Sequence, residues 1–140
     1  MARDIKFRAW DKKSKKMRVV ESIGFGAISI YEKGYPVCNM IGYDIIEEKA
    51  IIIHRDSPHF ELMQSTGLHD RNDKEIYEDD IVVIVGESGY FVIEWADTEA
   101  KWIMYNKADC YSVDFDNYWS SDTEVVGNKF DNPELLELVR

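Results

Sequence analysis

The feature of this 140-residue chain that most restricts its fold is a recurring alternation of apolar and polar residues in short runs, broken by clusters of Gly, Pro, Asn, Asp and Ser. A two-residue period belongs to strands with one buried face, whereas an amphipathic helix repeats every three to four residues over a longer stretch. Ile5 to Trp10 sets Ile5, Phe7 and Ala9 against Lys6, Arg8 and Trp10. The polar run Asp11-Lys12-Lys13-Ser14-Lys15-Lys16 interrupts it and Met17 to Val20 resumes it, so this segment reads as a β-hairpin with lysines at its tip. Ser22 to Ile30, with Gly24 and Gly26 among apolar residues, reads as loop, as does Gly34-Tyr35-Pro36. Ile41 to Ile46 and Ala50 to His54, rich in β-branched residues and parted by Glu47-Glu48-Lys49, read as further strands ended by Asp56-Ser57-Pro58.

A second group follows. Phe60 to Gln64 is read as a short strand or a helical turn, and His69 to Lys74 is dense in turn residues. Ile81 to Val85, Tyr90 to Trp95, Ala100 to Tyr105 and Glu124 to Asn128 are strand candidates joined by tight polar turns, a spacing that suits a small barrel. Asn132 as N-cap, Pro133 at the first position and Glu134 in the first turn predict a closing helix with Leu135, Leu136 and Val139 as its apolar stripe. The fold class is therefore mainly β, a β-rich α+β chain, with an N-terminal β subdomain over 1–60 and a barrel with a short C-terminal helix over 61–140, or one continuous unit.

Composition limits the alternatives. A compact chain of this size removes roughly two-thirds of its extended surface from water and folds without disulfide or metal. Cys38 and Cys110 stand far apart with no CxxC spacing and no signal-like apolar run precedes them, which predicts a reducing, cytoplasmic compartment. The longest uncharged stretch, Gly34 to Tyr43, is too short and polar to cross a bilayer, which needs about twenty apolar residues, so no membrane association is expected. Seventeen basic against twenty-seven acidic residues give a net charge of −10, unevenly placed. The first twenty residues carry eight basic and two acidic side chains, a local +6, and the remainder nine basic and twenty-five acidic, or −16. That asymmetry favours steering of partners or attraction between copies.

Four blocks in order, taken together, resemble the YopX family of bacteriophage and prophage proteins. They are Ile5-Lys6-Phe7-Arg8-Ala9-Trp10-Asp11 with the lysine turn and Met17, Leu62 to Asp70, Lys74 to Val82, and Val125-Val126-Gly127-Asn128 before Asn132-Pro133-Glu134-Leu135-Leu136. The resemblance spans the chain and implies a β-rich fold whose C-terminal part is similar to an SH3-type barrel. It implies no activity. Where that family usually has Gly, this chain has Asp73 and Asp79. Asp tolerates the left-handed backbone region better than most residues, so both turns are expected to survive; an extended Asp79 would instead line up Glu78, Asp79 and Asp80 as adjacent carboxylates.

No catalytic constellation emerges. Gly24-x-Gly26 lacks a following Lys-Ser/Thr, no Gly-x-Ser-x-Gly is present, and neither cysteine lies in a helix-start or basic context. His54, His59 and His69 do not have metal-ligand spacing, and Asp114-Phe115-Asp116-Asn117 with Asp122 and Glu124 lacks the mid-loop glycine of a calcium site. The expectation is a non-enzyme with no cofactor and no metal. Two surfaces are candidates for partner binding: the hairpin with Trp10, Lys12, Lys13, Lys15 and Lys16, and the aromatics Tyr90, Trp95, Trp102, Tyr118 and Trp119 of the barrel half. The expected role is a protein-binding or self-assembling phage accessory module, with homo-oligomers. The alternatives are a nucleic-acid-binding module using the hairpin, where lysines neutralise phosphate and Trp10 stacks on a base, and an acidic decoy of DNA-binding proteins.

Overall fold

The computed structural model describes residues 5–24 and 36–137. The loop expected over 25–30, Gly34-Tyr35, and Val139 of the closing helix lie outside the described residues. The chain is mainly β, and it divides into two compact units, Phe7–Met63 and Gln64–Arg140 with Met1–Lys6.

In the first unit β1 (Phe7–Asp11), β2 (Lys16–Gly24), β3 (Val37–Asp44), β4 (Lys49–Asp56) and the beginning of β5 (Phe60–His69) lie in the order β4-β3-β2-β1-β5. The hairpin forms as its alternation requires, with Arg8 opposite Val19 and Asp11 opposite Lys16. β3 and β4 pair without a break from Val37 opposite Asp56 to Asp44 opposite Lys49. Ala9, Cys38, Met40 and Phe60 form the buried core, with Val20 and Leu62 packed against it.

Two expectations are corrected here. Ile5, expected to share the buried side with Phe7 and Ala9, precedes β1 and is exposed. The strand read as Ile41 to Ile46 ends at Asp44, whose carboxylate accepts hydrogen bonds from the backbone N–H of Ile46 (2.9 Å) and Glu47 (3.1 Å). An aspartate that satisfies backbone donors two and three residues on closes a turn, and this outweighs the strand preference of two isoleucines.

In the second unit the end of β5 pairs with β6 (Glu75–Tyr77). β7 (Asp80–Ile84), β8 (Phe91–Ala96), β9 (Lys101–Asn106), β10 (Tyr111–Asp114) and β11 (Thr123–Asn128) form an antiparallel sheet in the order β10-β9-β8-β7-β11, with β10 and β11 at its ends. Ile76, Val82, Ile84, Phe91, Ile93, Met104 and Phe115 make its core. Asp73 (φ 63°) and Asp79 (φ 69°) both adopt the left-handed conformation. The three adjacent carboxylates that an extended Asp79 would create are therefore absent as a surface row: Asp80 turns inward, is buried, and accepts the Tyr77 backbone N–H at 2.8 Å.

A short helix α1 (Asn117–Ser120), capped by Asp116 accepting from the Tyr118 N–H, occupies the acidic aromatic stretch that carried no helical signal. The closing helix is a 3₁₀ turn, Pro133–Glu137, not an α-helix. Pro133 opens it as expected, but the Asn132 side chain points back and accepts from the Asn128 N–H at 3.2 Å instead of capping the turn. Gly127 permits this: a Cβ there would sit 2.4 Å from Asn132 Oδ1.

Candidate interaction surfaces

The hairpin tip is built on Asp11, which is fully buried. The Arg55 guanidinium grips it with two bonds, Nε to Oδ1 at 2.8 Å and Nη2 to Oδ2 at 3.1 Å, and Arg18 Nε lies 3.3 Å from Oδ2. The Lys13 N–H donates to Oδ1 at 3.0 Å, and the Ser14 hydroxyl donates to Oδ2. Burial alone would raise the Asp11 carboxyl, but donors from Arg55, Ser14 and the Lys13 backbone outweigh it and hold the group well below the usual carboxylate range. The turn is thereby fixed, with Lys15 in a left-handed conformation (φ 57°) and its N–H donating to the Asp11 carbonyl at 2.7 Å. Lys12 pairs with Glu61 at 3.0 Å. Lys13, Lys15 and Lys16 have no acid within ion-pair distance among the described residues. Trp10 is half-buried, opposite Met17.

The same sheet has a second feature. Opposed residues in an antiparallel pair share a face, so Trp10 and Met17, Arg8 and Val19, Ile41 and Ile52, and Tyr43 and Ala50 all lie opposite the core side occupied by Ala9, Cys38 and Met40. Val20 pairs with Met40, which places Val19 beside Ile41. Val19 is 63% exposed, Tyr43 61%, and Ile41 and Ile52 are exposed between them. Ile45 and Ile46 extend the patch from the β3–β4 turn at 82% and 91% exposure. Sequence reading missed these residues, although a signal was present: Ile51-Ile52-Ile53 is apolar without alternation, which makes a strand apolar on both faces.

The aromatics of the second unit come together as pairs. Trp95 is cross-strand partner to Trp102, with ring centroids 5.2 Å apart at 72°, and Trp102 packs on the core. Tyr118, largely exposed, meets Trp119 edge-on at 5.3 Å, and Trp119 also packs on the core. Tyr90 stands apart from both, lining a pocket of about 250 Å³ with Ser88, Gly89, Lys107, Ala108, Leu135 and Leu136.

Several ionisable groups are displaced from their ordinary values. Asp70, otherwise raised by burial, is held down by the N–H groups of Val125 (2.9 Å), Lys74 (2.9 Å) and Asn72 (2.8 Å), which ties the 70–74 turn to β11. Glu78 and Glu94 are raised by burial and by the negative charge of Asp79, while Lys129, 3.3 Å from Asp79, works the other way. Burial pushes the Cys38 thiol up to about 11, so it behaves as a small apolar residue. Among the described residues no three His, Cys, Asp or Glu side chains are grouped to hold a metal ion, and no helix is long and apolar enough to cross a membrane.

The family model of the YopX protein matches residues 6–137. The chain belongs to the YopX protein family. Among solved structures, this YopX family member is similar to protein EF1440 from Enterococcus faecalis, with a TM-score of 0.64 at 24% identity, covering 96% of this chain and 99% of that one. It is also similar to protein yopX from Bacillus subtilis, with a TM-score of 0.52 at 21% identity, covering 94% and 97%. At such identities the likeness establishes the fold alone. No curated protein matches the chain.

Proposed function

We propose that this YopX family member is a phage- or prophage-encoded accessory protein of the bacterial cytoplasm that works by binding protein and not by catalysis. The observation that carries the reading is the apolar outer face of the β1–β4 sheet, where Val19, Ile41, Tyr43 and Ile52 adjoin on three neighbouring strands with Ile45 and Ile46 beside them. A contiguous exposed apolar face on a small protein marks an interaction surface, because leaving it in water forgoes the free energy of burying it. The surface is preorganised, since an unbroken β3–β4 register and the Asp11 network hold its strands.

The experiment is affinity capture from host lysate with the intact chain beside Ile41→Asp and Ile52→Asp variants, read by mass spectrometry. Partners recovered by the wild type and lost with both variants support the reading; identical recoveries overturn it. A second reading uses the hairpin on nucleic acid, favoured by Lys13, Lys15 and Lys16 standing on an Asp11-anchored turn with no acid in ion-pair distance among the described residues. Phosphate contacts make affinity fall steeply with salt, so single-stranded DNA binding that vanishes when these lysines are changed to Glu would favour it over the sheet face.

A further inference from the structure

We infer that the occupant of this sheet is a second copy of the chain, joined antiparallel along β4 about a two-fold axis at Ile51; the inference rests on the binding role proposed for the same sheet. Among the described residues β4 is the end strand of its sheet, and its eight residues pair on one side only, with β3. It contains no proline and no bulge, the devices that usually blunt an edge, and its centre is Ala50-Ile51-Ile52-Ile53. Such an edge carries a row of backbone donors and acceptors and invites another strand.

Charge selects the partner. The residues Phe7–Met63 carry nine basic and eight acidic side chains, a net of +1, while the rest of the chain carries eight basic and nineteen acidic, a net of −11. Two copies that meet through the nearly neutral unit avoid the repulsion that contact through the acidic one would bring. An isologous contact also requires the patch to complement itself. Opposed residues in an antiparallel pair share a face, so a two-fold axis normal to the sheet must pass beside one residue of β4 facing its own copy. An axis at Ile52 would set Lys49 against the copy's Arg55 and Glu48 against its Asp56, like charges on both ends. An axis at Ile51 sets Ala50 against the copy's Ile52, Lys49 against its Ile53 and Glu48 against its His54, with no like-charge pair. It also makes the outer apolar faces of the two sheets continuous.

The test uses the full chain. Light scattering should give twice the 16.4 kDa chain mass. In a background with Cys38→Ala and Cys110→Ser, an Ile51→Cys variant should form an intermolecular disulfide under mild oxidation, because opposed residues of an antiparallel pair lie within disulfide reach, while Lys49→Cys should not. A second pair of variants at exposed positions does not depend on a cysteine. Ala50→Glu and Ile52→Lys should each weaken the dimer by about tenfold or more, and together should recover it by facing each new carboxylate with the other copy's new amine.

A monomer at every concentration overturns the inference, and if Ile41→Asp then still abolishes capture of another protein, the proposed binding role stands without it. A dimer that crosslinks at Lys49→Cys but not at Ile51→Cys, or that the double variant fails to restore, overturns the edge pairing. If neither dimer nor sheet-dependent capture is found, both readings fall.

Discussion

The two units of this protein differ in how much of their apolar side-chain surface they gather into a buried cluster. Residues from Gln64 onward gather seven fully packed apolar side chains, from Ile76 to Phe115, and draw Leu68, Trp102, Val113, Trp119 and Val125 in against them. Among the described residues, the unit Phe7–Met63 gathers Ala9, Cys38, Met40 and Phe60 in its cluster, two of them small, and buries Met63, yet it exposes Val19, Ile41, Tyr43, Ile45, Ile46 and Ile52. One unit stabilises itself with its apolar surface. The other leaves much of that surface in water and compensates with a buried polar network centred on Asp11. The exposed apolar face of the first unit is what the proposed binding role draws on, and the larger buried cluster lies in the second unit.

The largest effects should appear where this contrast is tested directly. Phe91→Ala removes a fully buried ring from the larger core and is expected to cost about 3–5 kcal/mol. In the first unit the counterpart is not a hydrophobic residue. Asp11→Ala leaves Arg55 and Arg18 facing each other without their shared carboxylate and is expected to cost a similar 3–5 kcal/mol, read by denaturant unfolding. If Asp11→Ala proves nearly neutral, the view of the first unit as held by its polar network is wrong.

The acid response sharpens the same point. The Asp11 and Asp70 carboxyls lie lower in the folded chain than their ordinary value of 3.8, so in acid the unfolded chain binds more protons. Their contribution is complete above that value and is lost as the pH falls from it toward the folded values. Stability should therefore drop below about pH 4, and Asp11→Asn should flatten the drop. A denaturation midpoint followed from pH 6 down to pH 2.5 reads it. Glu78 and Glu94 act with the opposite sign: raised by burial and by Asp79, they favour the folded chain less as the pH rises through their folded values. Glu94→Gln should accordingly stabilise at pH 7, by less than about 1 kcal/mol given its partial exposure.

Much of this was legible in the sequence, for local reasons. The lysine hairpin, the strands read at Ile81–Val85, Tyr90–Trp95, Ala100–Tyr105 and Glu124–Asn128 and the left-handed turns at Asp73 and Asp79 each depend on neighbours along the chain, whereas β10 (Tyr111–Asp114) carries no such signal. What was not legible depends on distance. Asp11 finds Arg55 forty-four positions away, and nothing near either residue announces the other. The turn at Asp44 was misplaced because Ile45 and Ile46 look like strand until the aspartate is seen accepting from two backbone N–H groups. Alternation assigns a buried side in Ile5 to Trp10, but the apolar runs Ile41 to Ile46 and Ala50 to His54 carry no alternation to assign one. In β3 and β4 both sides are apolar, and only the register shows which side the core took. Of the candidate partner-binding residues, Trp10 and the lysines fall in the unit that carries the exposed face, whereas the five aromatics divide between two ring pairs and a pocket wall.

The exposed face gives a sharper comparison because two measurements should part company. Ile41→Asp and Ile52→Asp alter residues that are 42% and 48% exposed, so the loss of monomer stability should stay near the strand-propensity and partial-burial cost, about 1–2 kcal/mol. Ile93→Asp, a residue of the same type but fully buried in the other unit, should unfold the chain. A large stability loss from Ile41→Asp would mean the face is part of a core after all.

The smallest effect concerns how turns are held. In both units an aspartate side chain accepts from backbone N–H groups, Asp11 and Asp44 in the first and Asp70 in the second. In the second unit Asp73 closes its turn by backbone geometry, with its N–H donating to the Asp70 carbonyl at 3.0 Å while Asp70 supplies the side-chain bonds. The Asp73 side chain therefore contributes little beyond tolerating φ 63°. Asp73→Gly removes the left-handed penalty but frees the unfolded backbone, and these nearly cancel, so a net change within about 1 kcal/mol is expected. Asp73→Val, β-branched and intolerant of that region, should instead cost about 1–2 kcal/mol. The same pair of changes at Asp44 should reverse the order of importance, because there glycine loses two hydrogen bonds and the turn that keeps Ile45 and Ile46 outside the strand.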